Sequence, residues 1–132
     1  MIQDTVNNVH ISTEDVLVTP EDLSQALPVS DKALNAISDA RNTISDIIQG
    51  RDHRMLVICG PCSIHDIDAA KDYALRLKEM HESCKDTLFI VMRVYFEKPR
   101  TTTGWKGLIN DPHIDGTFDI ETGLRKAREL LI

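Results

Sequence analysis

Apolar positions recur along this chain with several different spacings, and each change of spacing marks a change of element. Residues 1–18 alternate weakly, with Val9 and Ile11 and then Val16 and Val18 separated by polar positions, which predicts a short edge strand or extended arm. Thr19-Pro20 followed by Glu21 and Asp22 reads as a helix start, with Thr as N-cap, Pro in the first turn and acids beside the helix N-terminus. Pro28 limits that helix to about two turns. Ser30 can cap a second helix in which Leu34, Ile37, Ile44 and Ile48 share one face, and Gly50 stands where a C-terminal glycine belongs.

RDHR then breaks the period, and MLVICG (55–60) is a continuous apolar run, expected to be a strand covered on both faces as in a parallel sheet. The turn PCSIHD leads to a helix from near Asp66, with Ala70, Tyr73, Ala74, Leu77 and Met80 inward and Lys71, Asp72, Lys78 and Glu79 outward. A second strand is expected over 87–95, making a βαβ unit with a right-handed crossover. The sixteen residues GWKGLINDPHIDGTFD show no period, and a loop of that length is expected to be functional. Asp119 or Thr117 caps a last helix with Leu124, Ala127, Leu131 and Ile132 on its apolar side. Two parallel strands and their helices cannot bury both faces of a sheet. The expectation is therefore that these residues begin a larger α/β fold, and that alone they fold poorly and are inactive.

With 132 residues, 42% of them hydrophobic, the chain is long enough for one modest core. A net charge of −6 argues against general binding to nucleic acid or an anionic membrane. The N-terminus lacks the basic start and apolar run of a signal peptide, no stretch reaches membrane-spanning length, and the three cysteines have no secreted disulfide spacing; these features suggest a cytoplasmic protein.

Against that acidic background RVYFEKPRTT (93–102) stands out. Alternation along the second strand places Phe89, Val91, Arg93 and Tyr95 on one face and Leu88, Ile90, Met92 and Val94 on the other, so Arg93 is expected among core side chains. A guanidinium keeps its proton, and in such a place it requires a fixed anion. Arg93, Lys98, Arg100 and Lys106 face one acid, Glu97, an excess of three positive charges. The cluster suits an acidic small molecule, phosphate above all. The alternative is a carboxylate partner for Arg93 elsewhere in the core, with the other charges solvated.

CGPC (59–62), between a strand and a helix, has the layout of a thioredoxin-like redox pair, but Cys59 falls within the apolar run rather than at the helix start. No second Cys or His pair follows at zinc-finger spacing. Cys62 is either a ligand or active-site thiol at a strand end or an inert core residue. His65 and Asp66 are expected to shape the turn and cap the helix, and Trp105 to pack; His113 carries no assignment.

GPCSIHD (60–66), MRVYFEKPRTTTGWKGLINDPH (92–113) and GLRKAR (123–128) together resemble the metal-dependent class I 3-deoxy-D-arabino-heptulosonate 7-phosphate (DAHP) synthases. NNVHI and VLVTPEDL look most like the tyrosine-inhibited bacterial members. The resemblance implies a (β/α)8 barrel, of which residues 54–132 would form the first two βα units, with residues 1–53 an extension of arm and helices for oligomer and regulatory contacts. It implies an aldol-type condensation of phosphoenolpyruvate with erythrose 4-phosphate to DAHP and phosphate, opening the shikimate pathway to aromatic amino acids. By the same resemblance Cys62 is a ligand of a divalent metal, Arg93 and Lys98 contact phosphoenolpyruvate, and Pro99, Arg100 and Thr101 lie at the erythrose 4-phosphate site. It further implies a homo-oligomer, dimer or tetramer, with an aromatic amino acid, tyrosine, as effector. The remaining alternatives are a thioredoxin-like protein using Cys59 and Cys62, and a non-catalytic partner of a longer synthase.

Overall fold

Four side-chain caps set the helix starts. Thr19 Oγ1 accepts from the Asp22 N–H at 3.1 Å, Ser30 Oγ from Ala33 at 3.2 Å, Asp66 Oδ1 from Ala69 at 2.9 Å and Asp119 Oδ1 from Thr122 at 3.1 Å. They open α1 (Pro20–Ala26), α2 (Asp31–Ile48), α3 (Ile67–Cys84) and α4 (Ile120–Leu131). The computed structural model describes residues 15–98 and 103–132; the arm expected at 1–18 lies outside it as far as residue 14, and residues 15–18 carry no regular element.

Strands β1 (Met55–Cys59) and β2 (Leu88–Met92) pair in parallel, in register from Met55 opposite Leu88 to Cys59 opposite Met92. The turn before β1 is pinned by Arg54, whose Nε lies 3.0 Å from each Asp52 oxygen and whose guanidinium sits over the Phe89 ring at 5.3 Å. Strand β2 is shorter than the expected 87–95. Its partner turns away at Gly60-Pro61, and after the Arg93 N–H donates to the Cys59 carbonyl at 2.7 Å the ladder ends.

The core sits beyond the C-terminal ends of the strands. Ile64, Ala70 and Leu108 form its centre, packed by Ile67, Val94, Phe96, Trp105 and Leu130. Gly123 and Ala127 of α4 are buried, and a Cβ at Gly123 would overlap the Ile109 backbone. This close approach fixes the helix phase. Ala127 lies inward as expected, but Leu130 is also turned inward while Leu131 and Ile132 stay exposed. Arg128 Nε donates to the Leu27 carbonyl at 2.7 Å, tying α4 to the end of α1.

Elsewhere apolar faces are open. Met55 and Ile58 are 66% and 64% exposed, so β1 is not covered on both faces as expected. The α2 stripe is largely uncovered, with Leu34, Ile37 and Ile48 exposed, and on α3 Tyr73 and Met80 are exposed rather than inward. The cause is common to all: the described residues pack too little surface against these faces to cover them. No described helix is long and apolar enough to cross a membrane.

Candidate active site at the strand ends

Three backbone segments meet where β1 and β2 end. Gly60 lies so close to Arg93 that a Cβ would overlap the Arg93 carbonyl oxygen, which brings the turn after β1 directly against the segment after β2. The Ile64 N–H donates to the Tyr95 carbonyl at 2.7 Å and Ser63 Oγ to the Glu97 carbonyl at 3.3 Å, continuing that seam. A third segment closes from the other side. Glu97 and Gly107 form an antiparallel bridge, the Lys98 N–H donates to the Lys106 carbonyl at 2.9 Å, and Leu108 donates to Phe96 at 2.8 Å. Gly107 has φ +123° and stands against the Phe96 carbonyl, where a side chain has neither the dihedral nor the room.

Arg93 is exposed, not among core side chains as strand alternation suggested. The alternation stops with the ladder at Met92. Its Nη1 donates to the carbonyls of Pro61 at 2.7 Å and Cys62 at 2.9 Å, and its guanidinium stacks 4.7 Å from the Tyr95 ring centroid. Among the described residues no carboxylate forms an ion pair with it. The charge remains in water, so no buried anion is needed, and two carbonyls with a ring hold the group in place.

Lys98 is half-buried on the same segment. Pro99, Arg100 and Thr101 lie outside the described residues. Cys62 is exposed in the turn after β1, close in sequence to the carbonyls that hold Arg93. All three cysteines are free thiols, Cys59 lies inside β1, and neither Cys59 nor Cys62 stands at the start of α3, which is capped by Asp66; the redox layout is therefore not supported. No three His, Cys, Asp or Glu side chains among the described residues could together hold a metal. Cys62 offers one exposed soft donor, which fits a borderline-soft divalent ion whose other ligands come from elsewhere.

Around this seam the expectations for Asp66 and Trp105 are met. His65 is exposed and Asp66 caps α3; Trp105 packs on the core. His113 Nε2 stands 3.3 Å from Asp119 Oδ2. Hydrogen bonding from Thr122, with a smaller contribution from His113, holds the Asp119 carboxyl below its ordinary value. Sequence reading missed Asp111 and Leu108, both buried in the supposedly irregular loop. The available signal was the short apolar island Leu108-Ile109 within a polar stretch.

The model of the DAHP synthetase I family matches residues 19–131. Over all 132 residues the chain is 60% identical to the Tyr-sensitive phospho-2-dehydro-3-deoxyheptonate aldolase of Escherichia coli K12, covering 37% of that protein. It is 57% identical over 116 residues, 88% of this chain and 33% of the other, to the Phe-sensitive counterpart from the same organism. The structure of phospho-2-dehydro-3-deoxyheptonate aldolase from Francisella tularensis SCHU S4 superposes with a TM-score of 0.86 at 46% identity, over 92% of this chain and 37% of that one. The chain thus spans about a third of the length of these relatives. The seam of Gly60, Arg93 and Gly107 lies within the matched segment, and the chain belongs to the DAHP synthetase I family.

Proposed function

We propose that the strand-end seam is the phosphoenolpyruvate side of a DAHP synthase active site, in which phosphoenolpyruvate is joined to erythrose 4-phosphate and phosphate is released. The observation that carries this reading is Arg93, an exposed guanidinium held by the Pro61 and Cys62 carbonyls beside the Lys98 segment, in a chain 60% identical to a named synthase. Phosphoenolpyruvate carries a carboxylate and a phosphate, each offering the pair of acceptor oxygens that a guanidinium fork recognises. Because two carbonyls and the Tyr95 ring already hold Arg93, little ordering entropy remains to be lost when the anion arrives.

In this reading Lys98 pairs with the same anion, while Pro99, Arg100 and Thr101 line the erythrose 4-phosphate side. Cys62 supplies one ligand of a divalent metal. When bound, that metal would act as a Lewis acid. Residues 54–132 form the first two βα units of a (β/α)8 barrel, consistent with a parallel β1–β2 pair and with active sites at strand C-termini. Residues 1–53 form the extension that makes oligomer and effector contacts, with tyrosine as the effector, in a cytoplasmic homo-oligomer. The Tyr-sensitive and Phe-sensitive names of the relatives support an aromatic effector.

Calorimetric titration of phosphoenolpyruvate tests the proposal. Arg93→Ala should weaken binding by about tenfold or more, the loss expected for a charge-assisted pair. Equal affinity in the variant and the unaltered chain would remove Arg93 from the site.

A further inference from the structure

Asp111 is the most buried charged side chain among the described residues, 6% exposed, and its bonds all run to backbone or to one indole. Its carboxylate accepts the N–H groups of Asp115 at 3.4 Å and Gly116 at 3.1 Å. Its own N–H donates to the Gly107 carbonyl at 3.0 Å, and its carbonyl accepts the Trp105 indole N–H at 2.7 Å. Trp105 also packs on the Ile64–Ala70–Leu108 centre. The next residue, Lys106, accepts the Lys98 N–H, and Gly107 bridges Glu97.

A closed circuit follows: the Asp111 turn holds Trp105 and Gly107, and the segment between them holds the backbone of Lys98. We infer that Asp111 is a positioning residue for the anion site, setting through Trp105 and Gly107 where the Lys98 segment stands relative to Arg93. The inference rests on the reading of this seam as a phosphoenolpyruvate site. Its chemistry is that of a buried carboxylate, which loses hydration and therefore favours the one backbone arrangement that returns hydrogen bonds to it. A turn needs no such group merely to reverse the chain. Here the group joins that turn to the limb that carries Lys98.

Three variants separate the contributions. Asp111→Ala removes the carboxylate, Asp111→Asn keeps one oxygen acceptor, and Trp105→Phe leaves a ring on the core without the indole N–H. Amide hydrogen exchange in the ligand-free chain is read at Lys98 and Leu108, whose N–H groups close the circuit, and at Met55, which donates to Thr87 at the far end of the sheet. In Asp111→Ala, exchange at Lys98 and Leu108 should quicken by about tenfold with Met55 unchanged, and Asp111→Asn should restore part of the protection. Trp105→Phe should quicken the same two amides by a smaller factor. Phosphoenolpyruvate affinity, measured by calorimetry, should fall in the same order.

Unchanged exchange at Lys98 and Leu108 in Asp111→Ala overturns the inference, whatever the ligand does. Quickened exchange with phosphoenolpyruvate affinity equal to that of the unaltered chain also overturns it, because the circuit would then not position the site. If the unaltered chain fails to bind phosphoenolpyruvate, the reading of the site fails, and the exchange pattern alone decides whether Asp111 sets the Lys98 segment.

Discussion

Leu108→Ala tests whether the loop after the basic segment is core rather than connection. Leu108 is 1% exposed, the largest fully buried side chain described, and it touches the segment whose pairing holds Lys98. Truncation removes burial worth about 2 kcal/mol, taking roughly 0.8 kcal/mol per methylene-sized group. The unfilled space raises the expected loss to about 3 kcal/mol. It stays near the lower end of the range for such changes because Val94, Phe96, Trp105 and Leu130 around it are only partly buried and can close in. The assay is urea unfolding followed by the fluorescence of Trp105, the sole tryptophan, which packs on this cluster. Leu108→Met should cost less than about 1.5 kcal/mol, and Leu75→Ala, at a 64% exposed position, less than about 0.5 kcal/mol. If Leu108→Ala shifts the midpoint no more than Leu75→Ala does, the core is not where the packing places it.

Two further outcomes follow from local geometry. Gly60→Ala places a Cβ on the Arg93 carbonyl oxygen, so the seam must open; phosphoenolpyruvate affinity should fall by about tenfold or more while the circular dichroism of the helices is retained, and unaltered affinity would mean the seam does not shape the site. Hydrogen bonds from the Arg54 side chain and backbone N–H lower the Asp52 pKa from 3.8 to about 2. A folded-state pKa below the unfolded one gives stability that is present above about pH 4 and is lost as pH falls toward 2. In Asp52→Asn that part of the acid limb should flatten, and an identical pH dependence in both chains would refute the assignment.

How far the fold was legible depended on the range of the interactions that set each feature. Helix starts were legible because a cap is decided within four residues: Thr19, Ser30, Asp66 and Asp119 each accept the backbone N–H three positions on. The end of β2 was not, because it is fixed by Gly60 and Pro61 in the turn that follows the neighbouring strand. The apolar face of α4 was legible only in part, at Ala127 and not at Leu131, for a similar reason. Hydrophobic periodicity weighs Leu131 and Leu130 alike, whereas the contact of Gly123 with the Ile109 backbone decides which of them faces in. The apolar stripe of α2 and the apolar run of β1 were read correctly as such, but the expected burial needs more facing surface than the described residues provide.

The site shows the same division with a different result. The local excess of cations was visible in the letters, and it directed attention to Arg93 and Lys98 without any knowledge of the fold. Arg93 is not a core residue because strand alternation ends with the ladder at Met92, one position before it. Its exposed position is a stronger basis for binding. A guanidinium sealed in the core would already have its anion, whereas one held by the Pro61 and Cys62 carbonyls is fixed in place without being neutralised. The two carbonyls are acceptors that carry no net charge, so the positive field survives at the mouth of the seam. The exposed Arg93 is thus better suited to receive an acidic substrate than the buried one that the sequence suggested.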